Sequence, residues 1–125
     1  MPGFAKIVVQ NYGLNESLVS YFCYKQILNQ NYMKAIWNSQ VLAESNETIV
    51  IEGNHYFPPQ SINKDFLKSS TTHTTCPWKG EASYYSLEVD NEINSDAAWY
   101  YPEAKHAAKN IEGYIAFWKG VEIVK

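Results

Sequence analysis

Residues 74–85 read TTCPWKGEASYY, and within these twelve positions stand the side chains of the chain best suited to chemistry. They are a thiol, an indole, an ammonium and a carboxylate, at Cys76, Trp78, Lys79 and Glu81. Pro77 fixes its own φ angle, and Gly80 can adopt conformations that other residues avoid. The stretch therefore predicts a rigid turn that holds Trp78 and Lys79 at a defined place.

A second aromatic block, AAWYYP, occupies residues 97–102. Alternation along a strand places Trp99 and Tyr101 on one face and Tyr100 on the other. Tyrosine hydroxyls need hydrogen-bond partners, and few Leu residues stand near either block. We therefore expect the fold to bring the two blocks together, either as a core cluster of aromatic rings or as the wall of a pocket with polar groups.

The composition is that of one globular domain. The 125 residues are 46% hydrophobic and 18% charged, with a net charge of −3 and a pI near 5.5. All ten basic residues are Lys, so the bidentate phosphate clamp that Arg provides is missing. These features argue against a nucleic-acid partner, and no apolar run reaches the ~20 residues that span a bilayer, which argues against a membrane partner.

The two cysteines, Cys23 and Cys76, are not in a CxxC motif, and the N-terminus shows no secretory signal. We therefore expect two reduced thiols and a cytoplasmic location. Residues 1–32 lack sustained helical or strand periodicity, whereas the pattern becomes regular at Met33. We expect 1–32 to be a peripheral N-terminal extension, or to precede the natural start at Met33, and 33–125 to be the folded domain.

From Met33 the alternation predicts a mainly β fold: a single antiparallel β domain, either tent-like or a partly open barrel. The expected strands are residues 33–37, 41–44, 48–52, 55–57, 71–76, 81–89, 97–101, 114–118 and 121–124. One short α-helix is predicted near residues 103–111, since apolar residues recur there at helical spacing between Pro102 and Gly113.

Several segments of residues 33–125 resemble a bacterial family, the domain of unknown function 427 (DUF427). The matching segments are Trp37, EGNHYFP at 52–58, CPWKG at 76–80, WYYP at 99–102 and IEGYIAF at 111–117. The resemblance implies a small, mainly β domain that often stands alone. Some catalogues label the family a nucleotidyltransferase, so the resemblance also implies group transfer as a candidate activity.

Glu52 and Lys79 are the polar pair expected to mark a functional site, because carboxylate and ammonium groups sharing a partly buried cleft shift each other's pKa. Cys76 is a candidate nucleophile with Lys79 three residues on. The candidate catalytic residues are Lys79, Glu52 and Cys76. The candidate ligand-binding residues are Tyr56, Trp78, Lys79, Tyr84, Trp99 and Tyr101. The scattered histidines predict no metal site, and no cofactor is identified.

Three functions fit these residues. The first is a module that binds a polar small molecule, nucleotide-like or sugar-like, in an aromatic-lined pocket. The second is a group-transfer enzyme in which Lys79 and Glu52 act as an acid–base pair. The third is a structural or protein-interaction domain whose aromatic rings are all core. For a ligand-facing Lys79, we expect replacement by Ala to leave folding nearly intact.

Overall fold

Short antiparallel strands, joined mostly by tight turns, make up the part of the chain that the structure describes. The computed structural model describes residues 32–125, and the nine strands found there run antiparallel. They are β1 (Met33–Trp37), β2 (Gln40–Ser45), β3 (Ile49–Ile51), β4 (Asn54–Tyr56), β5 (Leu67–Cys76), β6 (Gly80–Val89), β7 (Glu92–Tyr100), β8 (Ile115–Phe117) and β9 (Glu122–Val124). The prediction of a mainly β, antiparallel fold is confirmed.

The strands form three sheets within the described residues. Their strand orders are β2–β1–β9, β3–β4 and β5–β6–β7–β8, and none of them closes into a barrel. Three hairpins turn on two residues that both have positive φ: Asn38-Ser39, Glu52-Gly53 and Asp90-Asn91. Such turns match the right-handed twist of the flanking strands, and Asn, Asp and Gly tolerate their geometry best. Ser39 and Glu52 fall outside this group of residues, and Glu52 has the longer side chain.

The β3–β4 hairpin joins the four-stranded sheet through one bridge. The Phe57 amide donates to the Ile115 carbonyl at 2.8 Å, and the Ile115 amide donates to the Phe57 carbonyl at 2.9 Å. Pro58 and Pro59 end the strand directly after this bridge, as expected. Two consecutive prolines are typical of a sheet edge, but Tyr56 and Phe57 just before them are fully buried, with Phe57 bridged to Ile115 of β8.

Alternating side chains divide the interior into two cores, one on each face of the four-stranded sheet. On β8, Ile115 and Phe117 enter the first core, while Ala116 between them enters the second. On β4 and its extension, Tyr56 enters the second core and Phe57 the first. Because side chains alternate along a strand, one strand supplies both cores.

The second core contains the aromatic residues that the sequence singled out. Its buried members are Tyr56, Ala82, Tyr101, Ala104, Ala108, Ile111 and Ala116, with Cys76, Tyr84, Trp99 and others packed at its margin. Trp99 and Tyr101 belong to this core, whereas Tyr100 packs against the first, as the alternation predicted. The two aromatic blocks therefore meet in one cluster.

The α-helix expected near residues 103–111 is wrong in type. The segment His106–Ile111 is a 3-10 helix, interrupted at Ala108, where φ is −122° and ψ is 22°. The segment is tied at both sides, since the Lys105 amide donates to the Lys79 carbonyl and the Gly113 amide to the Tyr101 carbonyl. Six residues between such anchors are too few for a stable α-helix, so packing of the buried Ala108 and Ile111 decides the local geometry.

Residues 1–31 lie outside the described residues. The expectations for an N-terminal extension over 1–32, for a natural start at Met33 and for Cys23 therefore stay predictions. Among the described residues, no helix is long and apolar enough to cross a membrane.

Gly80 is the glycine whose replacement should cost most. Its φ is +116°, and a Cβ there would stand 3.2 Å from the Glu103 carbonyl oxygen. We expect Gly80→Ala to lower the free energy of unfolding by about 2–4 kcal/mol, because backbone strain and a backbone clash add. Gly120→Ala is the matched control: φ is +88° but no atom lies within 4 Å, so about 1–2 kcal/mol is expected. If urea unfolding gives the same loss of unfolding free energy for both variants, the close approach of Gly80 to the Glu103 carbonyl is contradicted.

Candidate functional site

Two hairpin tips meet at the edge of the second core. One is the Glu52-Gly53 turn between β3 and β4, and the other is the three-residue turn 77–79 between β5 and β6. Lys79 Nζ donates a hydrogen bond to Glu52 Oε1, joining residues 27 positions apart in the chain. The pair that the sequence singled out is therefore brought together by the fold.

The second tip is held from both ends. Cys76 pairs with Gly80 at the base of the turn, so β5 and β6 fix where it begins and ends. Lys105 fastens it from the side: its amide donates to the Lys79 carbonyl at 2.9 Å, and its Nζ donates to the Pro77 carbonyl at 2.7 Å. These contacts make the turn rigid and direct the Lys79 side chain toward the second core.

Lys79 is almost completely buried, with 5% of its surface exposed. Its Nζ stands 4.9 Å from the ring centroid of Trp78 and 5.8 Å from that of Tyr101, distances at which an aromatic face attracts a cation. Charged lysines are seldom buried unless they are paired. Among the described residues, Glu52 is the carboxylate that pairs with it.

Glu52 stands on the outer side of this ion pair. Its side chain is 53% exposed, against 6% for that of Lys79. Its φ of +55° is a left-handed conformation that few residues with a long side chain adopt, but the two-residue turn requires it. The pair is therefore asymmetric: the cation lies inside and its carboxylate partner lies at the surface.

A layer of aromatic residues lies beneath the ammonium. Tyr56 and Tyr101 are buried, at 0% and 5% exposure. The half-buried Trp99 meets Tyr56 edge to face at 6.1 Å, and its indole N–H donates to the Tyr56 hydroxyl at 3.2 Å. Of these three predicted ligand-binding residues, Tyr101 faces the Lys79 ammonium, and all three belong to the second core or pack against it.

The other candidate residues lie closer to solvent. Trp78 is 39% exposed, beside Lys79. Tyr84 is half-buried, and its hydroxyl shares a 2.9 Å hydrogen bond with Thr74. Cys76 is a free, half-buried thiol at the base of the turn, packed against the second core. Trp78 and Glu52 form the accessible part of the site.

The ion pair moves the pKa values of its two members apart. Burial disfavours the charged form of Lys79, but the hydrogen bond with Glu52 and nearby polar groups outweigh this and raise its pKa above the usual value. The hydrogen bond from Lys79 lowers the pKa of Glu52. Burial raises the pKa of Tyr56 and of Tyr101, so both hydroxyls stay protonated at neutral pH.

Histidines and carboxylates do not gather into a metal site among the described residues. His55 bonds the Thr48 hydroxyl through its Nδ1 at 3.1 Å, and His73 approaches the Ser83 hydroxyl at 3.2 Å. Neither histidine is part of the Glu52–Lys79 contact.

Comparison with known families identifies the domain. A family model described as "Domain of unknown function (DUF427)", and named NTP_transf_9, matches residues 27–124. The chain belongs to this family. The match begins at residue 27, six positions before the segments that carry the resemblance, and it includes both hairpin tips of this DUF427 domain. No curated protein matches the chain.

Two residues that make structural contacts were not predicted from the sequence: Lys105 and Asp96. Lys105 was not expected at the site, because its role depends on a loop folding back onto the 77–79 turn. Asp96, at φ +54°, lies in a bulge of β7 and accepts hydrogen bonds from Ser70 and Thr72 of β5, across the intervening strand. The Ser and Thr residues of β5 were the sequence feature that could have predicted this contact with Asp96, but a Ser/Thr-rich strand does not identify its partner.

Because Lys79 is buried, we revise the expectation that Lys79→Ala leaves folding nearly intact. We expect Lys79→Ala to cost about 2–4 kcal/mol of unfolding free energy, because it removes a buried stem and leaves a cavity. Lys79→Met keeps that volume and leaves Glu52 in water. We therefore expect it to lower the free energy of unfolding by about 1 kcal/mol or less. Lys68→Ala, at an exposed lysine, is the control and should stay within about 0.5 kcal/mol. If Lys79→Ala matches that control in urea unfolding, the side chain is not buried.

The lowered pKa of Glu52 has a consequence for acid stability. The carboxylate contributes stability that is present above its ordinary pKa of 4.5 and is lost as pH falls through the lowered folded value. In Lys79→Met we expect the pKa of Glu52 to return to its ordinary range. Carboxyl ¹³C NMR titration of both proteins measures this directly. An unchanged Glu52 pKa in the variant would show that Lys79 is not the cause.

Proposed function

We propose that this DUF427 domain binds a polar small molecule at the Glu52–Lys79 site. The observation that carries the proposal is a buried ammonium whose carboxylate partner lies on an exposed hairpin tip. Burying a cation costs free energy because the cation loses its hydration. A buried ammonium can then form a strong, charge-assisted hydrogen bond with a ligand oxygen placed at the same point. Because the chain has no Arg, Lys79 acts as a point charge and not as a bidentate fork.

The pKa directions favour binding over proton transfer by this pair. A general acid or base works best when its pKa lies near the working pH. Here the pKa of Lys79 is raised and that of Glu52 is lowered, so both groups stay charged at neutral pH. A fixed ammonium stabilises negative charge on a ligand without giving up its proton.

The surrounding rings support a ligand of mixed character. Trp78 offers an exposed indole face beside Lys79, and stacking on it suits a flat or apolar group. Tyr101 presents its ring to the ammonium, and Tyr56 and Trp99 pack with Tyr101 in the second core. A nucleotide-like or sugar-like molecule combines such a group with negative or carbonyl oxygens.

The name of the family model points to nucleotidyl transfer as a second candidate. In such a reaction Lys79 would hold a phosphate oxygen as a fixed cation, with the base or sugar against Trp78. This second candidate requires turnover, whereas the first requires retention of an unchanged ligand.

Native mass spectrometry of the purified protein tests the proposal. We expect the wild type to retain a small molecule that Lys79→Met loses, while the exposed-lysine control Lys68→Met keeps it. Weakening by a lost hydrogen bond to a charged group is expected to be about 1.5–3 kcal/mol. Equal retention by wild type and Lys79→Met would reject the site, and a chemically altered ligand would favour the transferase.

A further inference from the structure

We propose that Glu52 is a built-in counter-ion, which a flat anion displaces in order to reach Lys79. The ligand class is a carboxylate or phosphate attached directly to a planar ring. This inference rests on the proposed function and deepens it, because it states how the buried ammonium becomes accessible and which ligands gain access.

The Lys79 ammonium is buried, and Glu52 lies between it and solvent. The Lys79 side chain is 6% exposed, and its described neighbours on the inner side are the rings of Tyr101 and the second core. Glu52, at 53% exposure, stands on the solvent side of the same nitrogen. An incoming anion therefore meets Lys79 where the Glu52 carboxylate now sits.

The Glu52 carboxylate can move away from Lys79 because it lies at the surface of its hairpin tip. The carboxylate interacts with Lys79 and with the Trp78 indole, both on the opposite hairpin tip. The Glu52 side chain is 53% exposed, so the carboxylate already borders solvent. The β3–β4 ladder pairs backbone groups and does not use this carboxylate.

Competition with the Glu52 carboxylate determines which class of ligand can bind to Lys79. A tethered carboxylate competes at an effective concentration of about millimolar or higher, so a bare anion of similar charge does not displace it. A successful ligand needs a further contact, and Trp78 offers its exposed indole face beside the same nitrogen. A planar ring bonded to the anionic group lets both contacts form together.

The experiment measures binding of four probes by isothermal calorimetry: 2-naphthoate, phenyl phosphate, acetate and cyclohexanecarboxylate. The proteins are wild type, Glu52→Gln, Lys79→Met and Glu88→Gln. The last is a matched control that removes one carboxylate charge from the exposed Lys68–Glu88 pair. Naphthoate and phenyl phosphate separate the two anionic groups, and cyclohexanecarboxylate tests the need for a flat ring.

We expect Glu52→Gln to bind a planar probe about tenfold more tightly than wild type, because the competing charge is gone. Glu88→Gln should match wild type, and Lys79→Met should bind neither planar probe. Acetate and cyclohexanecarboxylate should bind the wild type at least about tenfold more weakly than the better planar probe. If Glu52→Gln folds poorly, Glu52→Asp, which withdraws the carboxylate by one methylene, should show a smaller tightening.

The outcomes separate this inference from the proposed function. Binding that requires Lys79 but does not tighten in Glu52→Gln or Glu52→Asp overturns the displacement and leaves the site standing. Binding that survives Lys79→Met rejects the site itself. If no planar probe binds either wild type or Glu52→Gln, the ligand class is wrong.

Discussion

The ion pair between Lys79 and Glu52 joins the tips of the β3–β4 and β5–β6 hairpins at the edge of the second core. A lysine ammonium cannot be buried without a partner, so the β3–β4 hairpin must place Glu52 against the 77–79 turn. The two-residue turn gives Glu52 its left-handed backbone, and directly after Lys79 a Cβ at Gly80 would stand 3.2 Å from the Glu103 carbonyl oxygen. The loop that carries Lys105 then closes over the turn.

Stability alone does not explain such a pair. Replacing a buried ion pair by apolar residues of similar volume is often neutral or stabilising. Here the carboxylate is also left half in water, which gives up much of the strength that a buried partner would have. A cation kept inside with a removable partner outside is better suited to meeting an oxygen on another molecule. The physical asymmetry of the pair is thus the link between the fold and the proposed binding.

Local patterns made much of this DUF427 domain predictable from its sequence. Alternation and turn residues predicted the antiparallel strands, and alternation also placed Trp99 and Tyr101 together on one face. Glu52 and Lys79 were expected to share a site, and the fold brings their side chains into contact. The 3-10 geometry of His106–Ile111 was not predicted, because it depends on a distant partner: the Lys105 amide before this segment donates to the Lys79 carbonyl.

The central claim is that the Lys79 ammonium is buried, charged and held by Glu52 against two aromatic faces. The most direct measurement is ¹H–¹⁵N NMR of the lysine side-chain ammonium groups at neutral pH. The account predicts one slowly exchanging signal, shifted upfield by the rings of Trp78 and Tyr101, that disappears in Lys79→Met and exchanges faster in Glu52→Gln. A Lys79 signal that exchanges as rapidly as those of exposed lysines, in wild type and Glu52→Gln alike, would contradict it.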